Sequence, residues 1–254
     1  MNDLPQRLSA ALLDDQPRGS RGQRRSNQAS LEGGQSDGCR SAQQRLDLVS
    51  LAPTLAYGRH RGPAPQGVRR AAVAVVWLQH HDGSWWLPLT LRPHSLRHHG
   101  GQVCFPGGMI EPGETPAQAA LREFEEELGV APPSPLICGE LEPVYVYSSD
   151  NLVFPVVFTA GVPQQPWKPD PIEVASILEM PLSMLLDQPP LSAQERSREI
   201  IRDGDCVGAF DFKSVAYPLG EHMIWGVTAM LLGKLAGMIK GHPTSPSHWE
   251  GPTR

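Results

Sequence analysis

Cysteine is scarce in this chain of 254 residues: Cys39, Cys104, Cys138 and Cys206 stand far apart and form no C-x-x-C pair. That spacing excludes a disulfide scaffold and a cysteine-built zinc site, and it points to a reducing compartment. Long hydrophobic runs are missing too, since nothing approaches the roughly 20 apolar residues of a membrane span. Positive charge is not in excess: 22 Lys and Arg face 27 Asp and Glu, for a net charge of −5. The chain therefore has no overall basic footprint for nucleic acid. The opening MNDLPQRLSAALLDDQ lacks a signal-peptide core, and its acids Asp3, Asp14 and Asp15 are unlike a transit peptide. The final GPTR is no peroxisomal address. A soluble cytoplasmic protein with a small-molecule substrate, and without nucleic-acid or membrane partners, is the expectation. The sequence does not speak to oligomeric state.

With 40% hydrophobic and 19% charged residues, the composition suits one domain plus polar extensions. LPQRLSAALL (4–13) has the pattern of a short amphipathic helix. From about Asp15 to Gly67 the text is Arg, Gly, Ser, Gln and Pro, which cannot bury enough apolar surface to offset ordering entropy. Residues 1–67 are thus expected as a mostly disordered extension, 68–240 as the globular domain and 241–254 as a tail. AAVAVVWL (71–78) is a continuous apolar run, the mark of a strand buried on both faces. HHDGS is a turn and WWLPLTLR (85–92) the returning strand of a hairpin. Further strands are expected around 136–147 and 152–160, with a strand and short helix in EVASILEMPLSMLL and a long closing helix in EHMIWGVTAMLLGKLAGMI. This interleaving predicts a mixed α/β fold with helices packed on a mixed sheet.

One helix between these strands has unusually clear ends. Thr115 can N-cap it, Pro116 suits its first position, Gln118 completes a capping box and Gly129 marks the stop. At about 100° per residue, Ala117, Ala120, Leu121, Phe124 and Leu128 share the core face, while Glu123, Glu126 and Glu127 share another and Glu125 points to solvent. Arg122 stands four residues before Glu126, within pairing reach. Carboxylates crowded in this way repel one another, and a hard divalent cation reverses that penalty. A solvated acidic face is the ordinary alternative.

The string Gly108-x5-Glu114-x7-Arg122-Glu123-Phe124-x-Glu126-Glu127-x-Gly129-Val130 resembles the Nudix box, G-x5-E-x7-R-E-U-x-E-E-x-G-U, at every fixed position. The resemblance implies the Nudix fold, a mixed β-sheet sandwiched between helices, and metal-dependent hydrolysis of a nucleoside diphosphate derivative. It implies Mg2+ or Mn2+ held by Glu123, Glu126, Glu127 and the Gly108 carbonyl. By the same resemblance Arg122 orients the glutamates and Glu114 braces the loop. The general base varies among subfamilies; Glu123 is the first candidate and Glu173 the second.

Just upstream, LTLRPHSLRHHGGQVCFPGG (89–108) resembles the signature of coenzyme A diphosphatases. Leu89, Thr90, Arg92, Arg97, Gly101, Phe105, Pro106, Gly107 and Gly108 match, while Pro88 and Pro93 depart from it. Arg92 and Arg97 are the implied clamps for the extra phosphate of coenzyme A, an anion that suits bidentate guanidinium contacts. Gly101 and Gly107 would let the backbone approach phosphate closely. IWGVTAMLLGKL (224–235) resembles the C-terminal helix of the same group. The implied substrate is coenzyme A or an acyl-CoA. Another nucleoside diphosphate derivative, or a non-catalytic ligand-binding Nudix domain, remains as the alternative.

Overall fold

The computed structural model describes residues 3–14, 64–96, 99–146, 149–188, 190–202 and 205–241. The expected disordered stretch and C-terminal tail therefore fall largely outside the described residues, as does Arg97. The first element is helix α1 (Leu4–Asp14). A hairpin follows, β1 (Arg69–Gln79) and β2 (Trp85–Leu91), joined through His80–Ser84 with Gly83 at φ 80°. Two short strands, β3 (Val103–Cys104) and β4 (Gly107–Met109), lead into helix α2 (Pro116–Leu128). Then come β5 (Leu136–Glu140), β6 (Val144–Val146), β7 (Asn151–Gly161), β8 (Ser176–Pro181) and the short α3 (Leu182–Asp187). The chain continues with β9 (Leu191–Arg202), β10 (Asp205–Leu219), β11 (His222–Trp225) and α4 (Gly226–Lys240).

The main sheet runs β3-β2-β1-β7-β5, with β4 also on β1, β6 on β7 and β8 on β2. Only β1 and β7 pair in parallel; their register runs from Arg69↔Asn151 to Gln79↔Gly161, and the sheet's other pairs are antiparallel. The apolar run in β1 is buried on both faces because both carry helices. Ala72, Ala74, Val76 and Leu78 pack with Ala120, Phe124 and Leu128 of α2, while Val75 and Trp77 join the larger core with α1 and α4. The fold is thus the expected mixed sheet between helical layers.

Three features depart from the sequence expectation. The closing segment begins as a strand: His222–Trp225 pairs with β10, and the helix starts only at Gly226. The β9–β10 ribbon fills a region where no element had been anticipated; its alternation is too polar to read as a buried strand. On α2, Ala119 and Glu127 are buried, whereas Ala117 and Leu121 are only partly so. The core face is rotated toward Glu127 relative to the simple wheel, and the 163–175 segment is tied to the end of the helix. There Lys168 N–H donates to Leu128 O (2.9 Å) and Asp170 N–H to Glu127 O (3.1 Å).

α1, which precedes residue 68, is built into the core. Its Leu4, Leu8 and Leu12 recur every four residues and are almost wholly buried with α4 and β5 neighbours. Pro88 is tolerated in the middle of β2 because β2 has left β1 by Trp86 and meets β3 only at Thr90, so one edge there has no partner strand among the described residues.

Candidate active site

The ends of α2 are set by local chemistry. Thr115 Oγ1 accepts from Gln118 N–H (3.3 Å), and Gln118 Oε1 accepts from Thr115 N–H (2.9 Å), closing the capping box. Gly129 ends the helix at φ 71°, and a Cβ there would stand 2.0 Å from the Lys168 carbonyl oxygen. Between these caps Arg122 and the glutamates are held in a set order along one side.

Arg122 is the hub. Its Nε donates to Glu114 Oε1 (2.8 Å) and one terminal nitrogen to both Glu123 Oε1 and Glu126 Oε2 (2.9 Å each). The other terminal nitrogen reaches Met109 O (2.9 Å) and Glu114 Oε2 (3.1 Å). Glu114 also accepts from the Glu111 N–H, which ties the loop before the helix to the same fork. Arg122 holds Glu114 below the usual carboxylate range, aided by the Glu111 N–H, and Glu114 in turn raises the guanidinium further. Sequence spacing gave the Arg122–Glu126 contact; the links to Glu114 and to the Met109 carbonyl appear only in the tertiary structure.

Glu127 is set apart from this cluster. Its side chain is 3% exposed, against 15% for Glu123 and 59% for Glu126. Burial pushes the Glu127 carboxyl up to about 8; Arg92 and the Gly107 N–H oppose that shift, while Glu173 and Glu123 reinforce it. Glu123 is also raised, first by burial and further by Glu126 and Glu173, against the pull of Arg122. The exposed Glu173 therefore faces the same place as these two acids, brought there by a turn in which its N–H donates to Asp170 O (3.1 Å). Glu125 points to solvent as expected.

Arg92 lies across from Glu127, its terminal nitrogen 3.9 Å from Glu127 Oε1. The loop after it is closed by paired backbone bonds: Arg92 N–H donates to Gln102 O and Gly101 N–H to Arg92 O, both at 3.0 Å. Gly101 has φ 69°, and a Cβ would fall 2.4 Å from the His94 ring, so this glycine is required by the fold of the loop itself. Gly107 is required by packing, with a Cβ placed 2.3 Å from the Ala72 carbonyl oxygen. Cys104, beside Thr90 Oγ1 (3.2 Å), has its thiol pushed up to about 11 by burial and by Glu127. The structure thus brings Arg92, Gly107, Gly108, Arg122, Glu123 and Glu127 to one place, with Glu126 at its rim.

These residues fit a hard divalent cation. Glu127 Oε2 is buried without a hydrogen-bond partner, and the bare Cα of Gly108 leaves a space in which a Cβ would lie 2.4 Å from the Glu123 carboxylate. Carboxylate and carbonyl oxygens are the donors such an ion prefers. Among the described residues, no three His, Cys, Asp or Glu side chains are drawn together tightly enough to hold an ion without adjustment. Arg122 keeps Glu123 and Glu126 on one side while Glu127 faces Arg92.

A model of the NUDIX domain matches residues 68–204. The protein named "Uncharacterized Nudix hydrolase NudL" of Photorhabdus laumondii is 36% identical over 155 residues, which span 61% of this chain and 77% of that protein. The protein of the same name from Salmonella paratyphi B is 33% identical over 180 residues, covering 69% of this chain and 85% of its own. "Nudix hydrolase 15, mitochondrial" of Arabidopsis thaliana is 31% identical over 182 residues, covering 69% and 60%. Among solved structures, the Nudix hydrolase RenU of M. smegmatis overlaps 51% of this chain and 80% of its own, at 22% identity and a TM-score of 0.37.

Proposed function

The chain belongs to the Nudix hydrolase family, whose members act on nucleoside diphosphate derivatives with divalent cations, and from that premise we propose that its substrate is coenzyme A or an acyl-CoA. Hydrolysis of the diphosphate gives 3′,5′-ADP and 4′-phosphopantetheine, or its acyl form. The observation that carries the substrate assignment is the run Leu89–Gly108, which matches the coenzyme A signature at nine positions and flows without a break into the box. The position of Arg92 opposite Glu127 supports it, since a guanidinium beside the cleavage site can meet an anionic substrate.

Glu123, Glu126, Glu127 and the Gly108 carbonyl would hold Mg2+ or Mn2+. The cation supplies neutralisation of phosphate charge and acidification of water. The chain's own residues do the rest. Arg122 holds Glu123 and Glu126 by direct hydrogen bonds, and Glu114 holds Arg122, so the two acids are kept side by side along the helix. Water adds to one phosphorus, the bond from that phosphorus to the bridging oxygen breaks, and the water proton passes to a carboxylate. Glu123 is the first candidate to take that proton; Glu173, which faces the same acids, is the second. Arg92 and Arg97 bind the phosphates, and Gly101 and Gly107 shape the loop around them.

The test is mass spectrometry of the products formed from coenzyme A with Mg2+ or Mn2+ in 18O-water. Release of 3′,5′-ADP and 4′-phosphopantetheine, one of them carrying the label, is the expected outcome. Faster turnover of a nucleotide sugar, a dinucleoside polyphosphate or an oxidised nucleotide in a competition assay would replace coenzyme A by that substrate. No turnover of any of these by the folded, metal-loaded protein would favour a ligand-binding role.

A further inference from the structure

We infer that Arg92 occupies the position beside the Glu127 carboxyl while no cation is bound, and that a divalent cation on that carboxyl displaces it, so that metal loading frees the Arg92 guanidinium for the anionic substrate. This rests on the metal role of α2 proposed above and adds an order to it: cation first, phosphate second.

The two arginines of the site are held in opposite ways. Arg122 spends its donors on Glu114, Glu123, Glu126 and the Met109 carbonyl at 2.8–3.1 Å, a closed fork that stays in place. Arg92 meets Glu127 only at 3.9 Å, well beyond the length of a paired guanidinium–carboxylate hydrogen bond. Each partner keeps an unused atom: Arg92 Nε and Glu127 Oε2 are both buried without a hydrogen-bond partner. Glu127 is 3% exposed and its Oε2 has no donor within the protein, which leaves capacity for a closer cation. An ion on that carboxylate would leave three positive charges around it, and Arg92, held by one long ion-pair contact and by the Cys104 thiol rather than by a fork of acids, is the group that can leave.

The way out is also defined. The Arg92 backbone is pinned at the end of β2 by its bonds to Gln102 and Gly101, so any movement belongs to the side chain. That side chain is 23% exposed, so part of it already reaches solvent. The Cys104 thiol shares a hydrogen bond with the Arg92 side chain, and beside Glu127 stand the acids Glu123 and Glu173. None of these forms the closed fork that fixes Arg122.

The test is a titration of the full chain with Mn2+ alone, read by electron paramagnetic resonance, for the native protein, Arg92→Gln and Glu127→Gln. Removing the competing charge is expected to tighten Mn2+ binding in Arg92→Gln on the order of tenfold. Adenosine 3′,5′-bisphosphate should bind the native chain more tightly when Mg2+ is present, and this enhancement should vanish in Arg92→Gln. Unchanged or weaker Mn2+ binding in Arg92→Gln overturns the inference and leaves Arg92 a substrate contact or a brace. If that variant does not fold, the Arg92 Nε–H resonance of the native chain, assigned by its loss in Arg92→Lys, decides the matter. It should move on Mg2+ addition before any nucleotide is present, and a fixed resonance is the contrary result. Failure of the metal role itself looks different: the native chain would then bind no Mn2+, or Glu127→Gln would bind it as well as the native chain.

Discussion

Glu127 and Arg122 carry opposite electrostatic burdens within five residues of helix. Glu127 is buried beside the Gly107 N–H and a loosely placed Arg92, while Arg122 is saturated with acceptors. Glu127→Gln keeps the volume and removes the charge. It should lower metal-dependent turnover by at least about 100-fold with the fold intact, as compared by steady-state rates and circular dichroism. The raised carboxyl also has a signed consequence. Its folded pKa, about 8, lies above the ordinary glutamate value of 4.5, so its contribution to stability is full below about 4.5 and is lost as pH rises through 8. The midpoint of thermal unfolding, measured without metal, should therefore fall between pH 5 and 8.5, and Glu127→Gln should flatten that fall. Gly108→Ala would drive a methyl into the Glu123 carboxylate, 2.4 Å away, and should weaken Mn2+ binding measured by calorimetry.

At the scale of the element, α2 was almost fully legible. Thr115, Pro116, Gln118 and Gly129 are local signals, acting within a turn of the residues they serve, and each forms the contact its type predicts. Thr115→Ala should cost about 1 kcal/mol in urea unfolding, because it leaves the Gln118 N–H without its acceptor. What the helical wheel misplaced was burial: Ala119 and Glu127 are covered, and Ala117 is only half so. Ala119 packs with residues of β1 and β7, and Glu127 meets Arg92 and the Gly107 N–H, all on other elements of the fold. No period within α2 encodes those neighbours. The strand His222–Trp225 was missed for a similar reason, since four residues carry too little pattern to be told from the helix they precede.

At the scale of the whole molecule, the core draws on an element that composition placed in the extension. Leu8 of α1 is fully buried with α4 and β5 neighbours, and Arg7 donates to the Ile239 carbonyl. Leu8→Ala should cost about 2–5 kcal/mol in urea unfolding of the full chain, the usual cost of a cavity at a leucine site. A change under 0.5 kcal/mol would show α1 to be a loosely attached element. Among the described residues, no helix is long and apolar enough to cross a membrane.

The sequence by itself determined the hairpin of β1 and β2 and the ends of α2, because each rests on capping or periodicity within one short stretch, and it carried the family and the reaction class through the resemblance of its box to the Nudix box. Tertiary structure alone decided which glutamate is buried, which arginine faces it and what covers the helix. Those depend on the end of β2, which carries Arg92, and on β4, whose Gly107 N–H meets Glu127, contacts that exist only in the folded chain. Burial and through-space charge act across the fold, so the difference between Glu126 at the rim and Glu127 beneath it, one position apart, exists only once the chain has closed around them.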